Sequence, residues 1–103
     1  MSLPDDTIAF VLELLEPIGA LSTRNMMGGL CIYSEGQIFA ILDSDGTLFL
    51  KAKGGFADRL QAAGSRQFGS DHGKRMGYWT LPEAALDDAD VACDWARQAL
   101  ADL

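Results

Sequence analysis

Histidine and cysteine are scarce in this chain: His72 stands alone, and the two cysteines, Cys31 and Cys93, lie far apart. That excludes a recognisable zinc-ligand spacing. Each cysteine sits inside an apolar segment, where a thiol behaves as a small hydrophobe, so two thiols are expected rather than a disulfide. No apolar run approaches the roughly 18 residues that a membrane helix needs, and no basic segment leads into an apolar stretch at the N-terminus. A cytoplasmic location is the expectation. Basic residues are also in short supply, with 8 Lys and Arg against 15 Asp and Glu for a net charge of −7. They are unevenly placed: residues 51–78 hold six bases against two acids and are +4, which leaves −11 for the remainder.

What the chain does have is a core. Its 103 residues are 49% hydrophobic and 22% charged, a globular composition far from that of disordered chains. A domain near this size buries about two-thirds of its unfolded surface, so residues 1–103 are expected to form one domain.

Ile8, Val11, Leu12 and Leu15 recur at helical spacing, with Asp5, Asp6 and Thr7 as capping candidates and Pro17 and Gly19 as stop signals. Phe10 and Leu14 add a second apolar row, which a neighbouring helix would cover. Residues 30–34, 37–42 and 47–51 read as an antiparallel meander joined by Glu35-Gly36 and Asp43-Ser44-Asp45-Gly46. Gly54-Gly55 breaks that pattern. Residues 56–63 read as a short helix ended by Gly64, residues 65–68 as a fourth strand, and residues 76–81 as a fifth, closed by Pro82. From Asp90 onward, Ala92, Trp95, Ala96, Ala99, Leu100 and Leu103 form an amphipathic stripe, with Asp87, Asp88 and Asp90 suited to the positive end of the helix dipole. The expected fold is α+β and two-layered, a five-stranded antiparallel sheet with helices in the order α-β-β-β-α-β-β-α.

The turns also predict a register, because residues paired across an antiparallel ladder point to one side. A two-residue Glu35-Gly36 turn pairs Tyr33 with Ile38, Ile32 with Phe39, Cys31 with Ala40 and Leu30 with Ile41. A four-residue second loop pairs Leu42 with Thr47, Ile41 with Leu48, Ala40 with Phe49 and Phe39 with Leu50. One face then carries Leu30, Ile32, Phe39, Ile41, Leu48 and Leu50, and is the core face. The other carries Cys31, Tyr33, Ile38, Ala40, Leu42, Thr47, Phe49 and Lys51, more apolar than an ordinary solvated face.

The chemical motifs are weak. Met27-Gly28-Gly29 and Gly54-Gly55 lack the spacing and the Lys-Ser/Thr of a phosphate loop, and read as turn or close-packing glycines. Asp43-Ser44-Asp45-Gly46 starts like a calcium loop, but its glycine comes too early and Gly54 stands where a bidentate Glu is needed. Ser70, Asp71 and His72 have the residue types of a hydrolase triad, yet consecutive loop residues do not align as nucleophile, base and orienter. Trp79 and Trp95 read as core anchors. Arg24 reads as a surface ion-pair partner or the mark of a binding edge.

Arg24-Asn25-Met26-Met27-Gly28-Gly29-Leu30-Cys31-Ile32-Tyr33, followed by Gly36, Ile38, Phe39 and Ala40, resembles the opening motif of the TfoX N-terminal domain of bacterial competence regulators. Leu48-Phe49-Leu50-Lys51, Ala63-Gly64, Tyr78-Trp79-Thr80-Leu81-Pro82 and Trp95-Ala96 follow in that family's order, so the resemblance spans nearly the whole chain. Met27 replaces the family's usual Phe, and Cys31 one of its glycines. The resemblance implies an antiparallel sheet flanked by helices, similar in layout to secretion chaperones, and no catalytic residue. Full-length members look like two-domain proteins that raise transcription of competence genes together with a cyclic-AMP receptor protein, and 103 residues leave room for one such domain.

The functional expectation is therefore a non-catalytic, regulatory interaction domain without a cofactor or metal. It would self-associate as a homodimer or bind a protein partner through Tyr33, Ile38, Phe49 and Lys51. The alternative is a nucleic-acid-binding module using Lys51, Lys53, Arg59, Arg66, Lys74 and Arg75, although the surrounding −11 repels phosphates and no basic recognition helix or stacking motif accompanies them.

Overall fold

A computed structural model describes residues 4–26, 29–68 and 77–101. Helix α1 (Asp5–Leu15) starts at Pro4, whose carbonyl accepts from the Thr7 and Ile8 amides, so Asp5 and Asp6 fall within the first turn rather than before it. Pro17 does not end the chain's coiling at once: a 3₁₀ turn, Glu16–Ile18, follows α1 before Gly19 breaks it. Four strands come next, β1 (Leu21–Met26), β2 (Gly29–Ser34), β3 (Gln37–Leu42) and β4 (Leu48–Lys51), then α2 (Gly54–Ala62), β5 (Tyr78–Thr80), a second 3₁₀ turn (Glu83–Ala85) and α3 (Ala89–Ala101).

The five strands form one antiparallel sheet in the order β1-β2-β3-β4-β5. The α+β class, five strands and three helices are as the sequence indicates, but one strand sits elsewhere in the chain. β1 was not expected, since its only aliphatic residue is Leu21 and Ser22, Thr23, Arg24 and Asn25 are exposed. As an edge strand it needs a backbone partner and little buried side-chain area. Residues 65–68 contribute only an isolated bridge, Gln67 to Trp79, flanked by Phe68 N to Tyr78 O at 2.8 Å and Thr80 N to Arg66 O at 2.9 Å. Gly54 and Gly55 form the first turn of α2 instead of a separate break.

Two local features move the register. At Glu35-Gly36 both residues have positive φ, 51° and 80°, as a type I′ hairpin turn requires. Tyr33 accordingly pairs with Ile38, but Ile32 then pairs with Ala40, so Phe39 is the extra residue of a β-bulge. The second connection has five residues rather than four, because Leu42 pairs with Leu48. The Asp43 carboxylate closes that loop by accepting from the amides of Asp45 at 3.0 Å and Thr47 at 2.9 Å. Ala40 and Leu42 therefore face the core and Ile41 faces away, the reverse of the expected assignment.

All three helices pack on one side of the sheet. Leu30, Ile32, Phe39, Ala40, Leu42, Leu48 and Leu50 share a single cluster with Val11, Leu14 and Leu15 of α1, Phe56, Ala57 and Leu60 of α2, and Ala92, Ala96 and Ala99 of α3. The alanine row lets α3 lie close over β3 and β4 and against α1. Trp79 and Trp95 pack at the margin of this cluster, Trp95 with its ring centroid 6.0 Å from that of Phe56. Leu103, the last residue of the expected stripe, lies outside the described residues. Phe10 is not covered as the sequence suggests: Leu14 is buried, but Phe10 stays 50% exposed.

Candidate functional site

The face of the sheet away from the helices is built by alternation along each strand. β1 supplies Ser22 and Arg24, β2 Cys31 and Tyr33, β3 Ile38 and Ile41, β4 Phe49 and Lys51, and β5 Tyr78 and Thr80. Tyr33, Ile38 and Lys51 are half-buried on this face, as are Cys31 and Tyr78, and Arg24 is exposed at its edge. Phe49 is different. It is 6% exposed and covered by Phe68, whose ring meets it edge-on with centroids 4.9 Å apart and planes at 87°. Phe49 thus lies outside the main core yet is no accessible contact residue, and it acts as a support beneath the surface. Ile41, which the expected register sent inward, is buried beside it.

Arg24 and Lys51 bring two cations to these strand positions and no carboxylate accompanies them. Burial holds the Tyr78 phenol above its ordinary value, and the neighbouring Cys31 and Tyr33 push in the same direction. The face therefore offers phenols and cations to a partner. Sequence reasoning did not include Tyr78; its place opposite Lys51 across the β4–β5 ladder was hidden until that ladder's register was known.

The bases of the alternative site are divided. Lys51 lies on the open sheet face, whereas Arg59 lies in the helix layer, its Nη2 donating to Gln98 Oε1 at 3.1 Å and its guanidinium 5.5 Å from the Phe56 ring centre. Lys53 is exposed at the start of α2 and Arg66 is exposed beside β5. Lys74 and Arg75 lie outside the described residues, as do Ser70, Asp71, His72, Met27 and Gly28. Among the described residues no group of three or more His, Cys, Asp or Glu side chains is placed to hold a metal ion, and no helix is long and apolar enough to cross a membrane.

Both cysteines are thiols, in unlike settings. Cys31 is half-buried on the open face, while Cys93 is buried between α3 and α1 and its Sγ donates to the Leu14 carbonyl at 3.4 Å. That carbonyl is among the last of α1, which has no partner within its own helix. Burial pushes the Cys93 thiol up, so both access and thiolate content are low. An aromatic disulfide reagent at neutral pH should label Cys31 first and reach Cys93 only when denaturant is added. Equal rates for Cys31→Ala and Cys93→Ala would contradict this placement.

The hairpin of β1 and β2 carries the segment from Arg24 to Tyr33, and a family model described as the TfoX N-terminal domain matches residues 13–103. The chain belongs to the TfoX N-terminal domain family. No curated protein matches it. In this TfoX N-terminal domain the motif has a structural reading at Gly29: a Cβ there would run into the backbone carbonyl oxygen of Leu42 and lie 3.3 Å from the Asp43 Cα. The glycine is what allows β2 to pass the start of the Asp43 loop. The motif's Arg24 is exposed on the edge strand with no ion pair among the described residues.

Proposed function

We propose that this TfoX N-terminal domain is a non-catalytic regulatory module that binds a protein through the open face of its sheet, with Tyr33, Ile38, Lys51 and Tyr78 as contacts and Arg24 at the rim. The observation behind this reading is the one-sided packing of the helices, which leaves half-buried phenols and aliphatic groups on the other side. Contiguous apolar area of this kind marks interfaces, and tyrosine and arginine are enriched in them. The cations favour a partner with carboxylates around an apolar anchor. A second copy of the chain is one form such a partner takes, and transcriptional control, of competence or of other genes, is the setting the family suggests. Two thiols suit a reducing, cytoplasmic compartment.

Because Phe49 is a support, its substitution would unfold the face rather than probe it. The Tyr33→Glu/Ile38→Glu double variant is the better test, with light scattering for self-association and affinity capture from native lysate for other partners. Wild type is expected to hold a discrete partner or a second copy that the double variant loses while keeping its melting temperature within a few degrees. Identical mass and identical captured proteins for the two would refute the reading. A salt-sensitive gel shift with single-stranded DNA that Lys51→Glu abolishes would favour nucleic-acid binding instead.

A further inference from the structure

The helix layer has an open surface of its own, away from the sheet face discussed above. Phe10 of α1, 50% exposed, and Leu86, 37% exposed, are two of the large exposed hydrophobics among the described residues. They line one groove of ≈ 350 Å³, with Leu14 and Ala89 beside them and with Glu13 and Asp87 as its polar members. Its apolar part comes from α1, the link after the second 3₁₀ turn and the first residue of α3. Phe10 does not serve the fold in proportion to its size, since the core lies on the Val11, Leu14 and Leu15 side of α1.

The segments that supply the groove's lining are acidic, and the next cation along the chain, Arg97, is paired with Asp94 at 3.5 Å. Residues 4–18 and 82–96 contain nine carboxylates and no Lys or Arg. Several of these have local structural duties: Asp5 and Asp6 sit in the first turn of α1, and the Asp88 carboxylate caps α3 by accepting from the amides of Asp90 at 3.1 Å and Val91 at 3.3 Å. Glu13 and Asp87 have none. Glu13 stands in the last turn of α1, where the helix dipole disfavours an anion, and no basic residue there offsets it. Asp87 precedes the capping residue and takes no part in the cap. Neither makes an ion pair among the described residues.

We propose that this groove is a second docking site and that its occupant is an amphipathic helix of a partner protein, with a large apolar ridge flanked by Lys or Arg. The ridge would lie on Phe10, Leu14 and Leu86, and the flanking cations would meet Glu13 and Asp87. Helix-in-groove recognition uses apolar anchors at such spacing for affinity, while complementary charge sets orientation and encounter rate. The α1 lining runs from Phe10 to Leu14, about 6 Å of helix, which matches one turn of a docked helix. The two sites are on opposite layers, so one domain could bridge two proteins.

The test uses a labelled helical peptide of about fourteen leucine and lysine residues, with the leucines along one face, titrated against the whole chain at low salt by fluorescence anisotropy. Wild type should bind saturably. Phe10→Lys, Leu86→Lys and the Glu13→Lys/Asp87→Lys pair should each weaken binding at least about tenfold, whereas Glu35→Lys/Asp58→Lys, with the same change in net charge, should stay within about twofold. The Tyr33→Glu/Ile38→Glu variant should bind like wild type, which separates this site from the sheet face. Circular dichroism establishes that each variant is folded, and exposure of Phe10 and Leu86 makes two independent apolar probes. Equal loss in the control pair would reduce the effect to overall charge and overturn the proposal. So would absence of saturable binding, amide shifts centred on the open sheet face, or a wild-type dimer that Phe10→Lys dissociates, which would make a second copy the occupant.

Discussion

Gly29→Ala is expected to destabilise the domain by about 3 kcal/mol or more, a large part of the roughly 5–15 kcal/mol that holds such a domain folded. The new methyl group meets backbone, the Leu42 carbonyl oxygen and Asp43, and backbone yields less readily than a side chain. That stretch is also fixed on its far side: Asp43 N donates to Thr47 O at 3.0 Å, and the Asp43 carboxylate holds the amides of Asp45 and Thr47. Moving it would disturb the β3–β4 hairpin as well as β2. Gly55→Ala is the matched control, because its Cβ meets nothing within 4 Å and alanine favours a helix by up to about 1 kcal/mol over glycine. Equilibrium urea unfolding of the two variants decides the matter. A loss below about 1 kcal/mol at Gly29 would show that β2 and the loop can separate without cost.

Leu42→Asp should have the other large effect, more than about 4 kcal/mol, the range reached when a charge is buried without a partner. Leu42 has no exposed surface and lies in the main core cluster, paired with Leu48 on one side and Leu30 on the other. This substitution also distinguishes registers. A four-residue loop would put Leu42 beside Thr47 on the open face, where an aspartate would cost little. A variant that melts within a few degrees of wild type would restore that register and undo the face assignments of Ala40, Ile41 and Leu42.

Of the expected pairings only Tyr33 with Ile38 holds, yet the expected faces fail only at Ala40, Ile41 and Leu42 and are right in β2 and β4, for a physical reason. The bulge at Phe39 inserts one residue into β3, and the loop closed by Asp43 adds one more before β4. Each one-residue offset turns the following side chains to the other face. Two offsets cancel, so Phe49 and Lys51 emerge on the side that simple counting gave, while Ile41 and Leu42 exchange places between the two. Neither offset leaves a local signature. Phe39 and Ala40 are both acceptable strand residues, and Asp43-Ser44-Asp45-Gly46 fits a four-residue turn as well as a longer one.

The burial of Phe49 was equally hidden. Its alternation with Leu48 and Leu50 placed it on the open face, but only the return of residues 65–68 alongside β5 brings Phe68 onto it. Phe10 is the converse case. Helical spacing made it a second apolar row beside Leu14, and the packing of α1 on α3 covered one member and left the other in the groove with Leu86.

Local physics in the sequence settled the three helices, the meander of β2, β3 and β4, the hairpin turn at Glu35-Gly36 and the family to which the chain belongs. Those features follow from side-chain periodicity, turn chemistry and motif order, all of which act within a few residues. The tertiary structure alone decided that Leu21–Met26 is a strand, that β3 bulges and which face each of its residues serves, and which large side chains stay uncovered. A polar edge strand is held by the backbone of its neighbour, and bulges and exposed aromatics depend on what packs from distant parts of the chain, which no local pattern records.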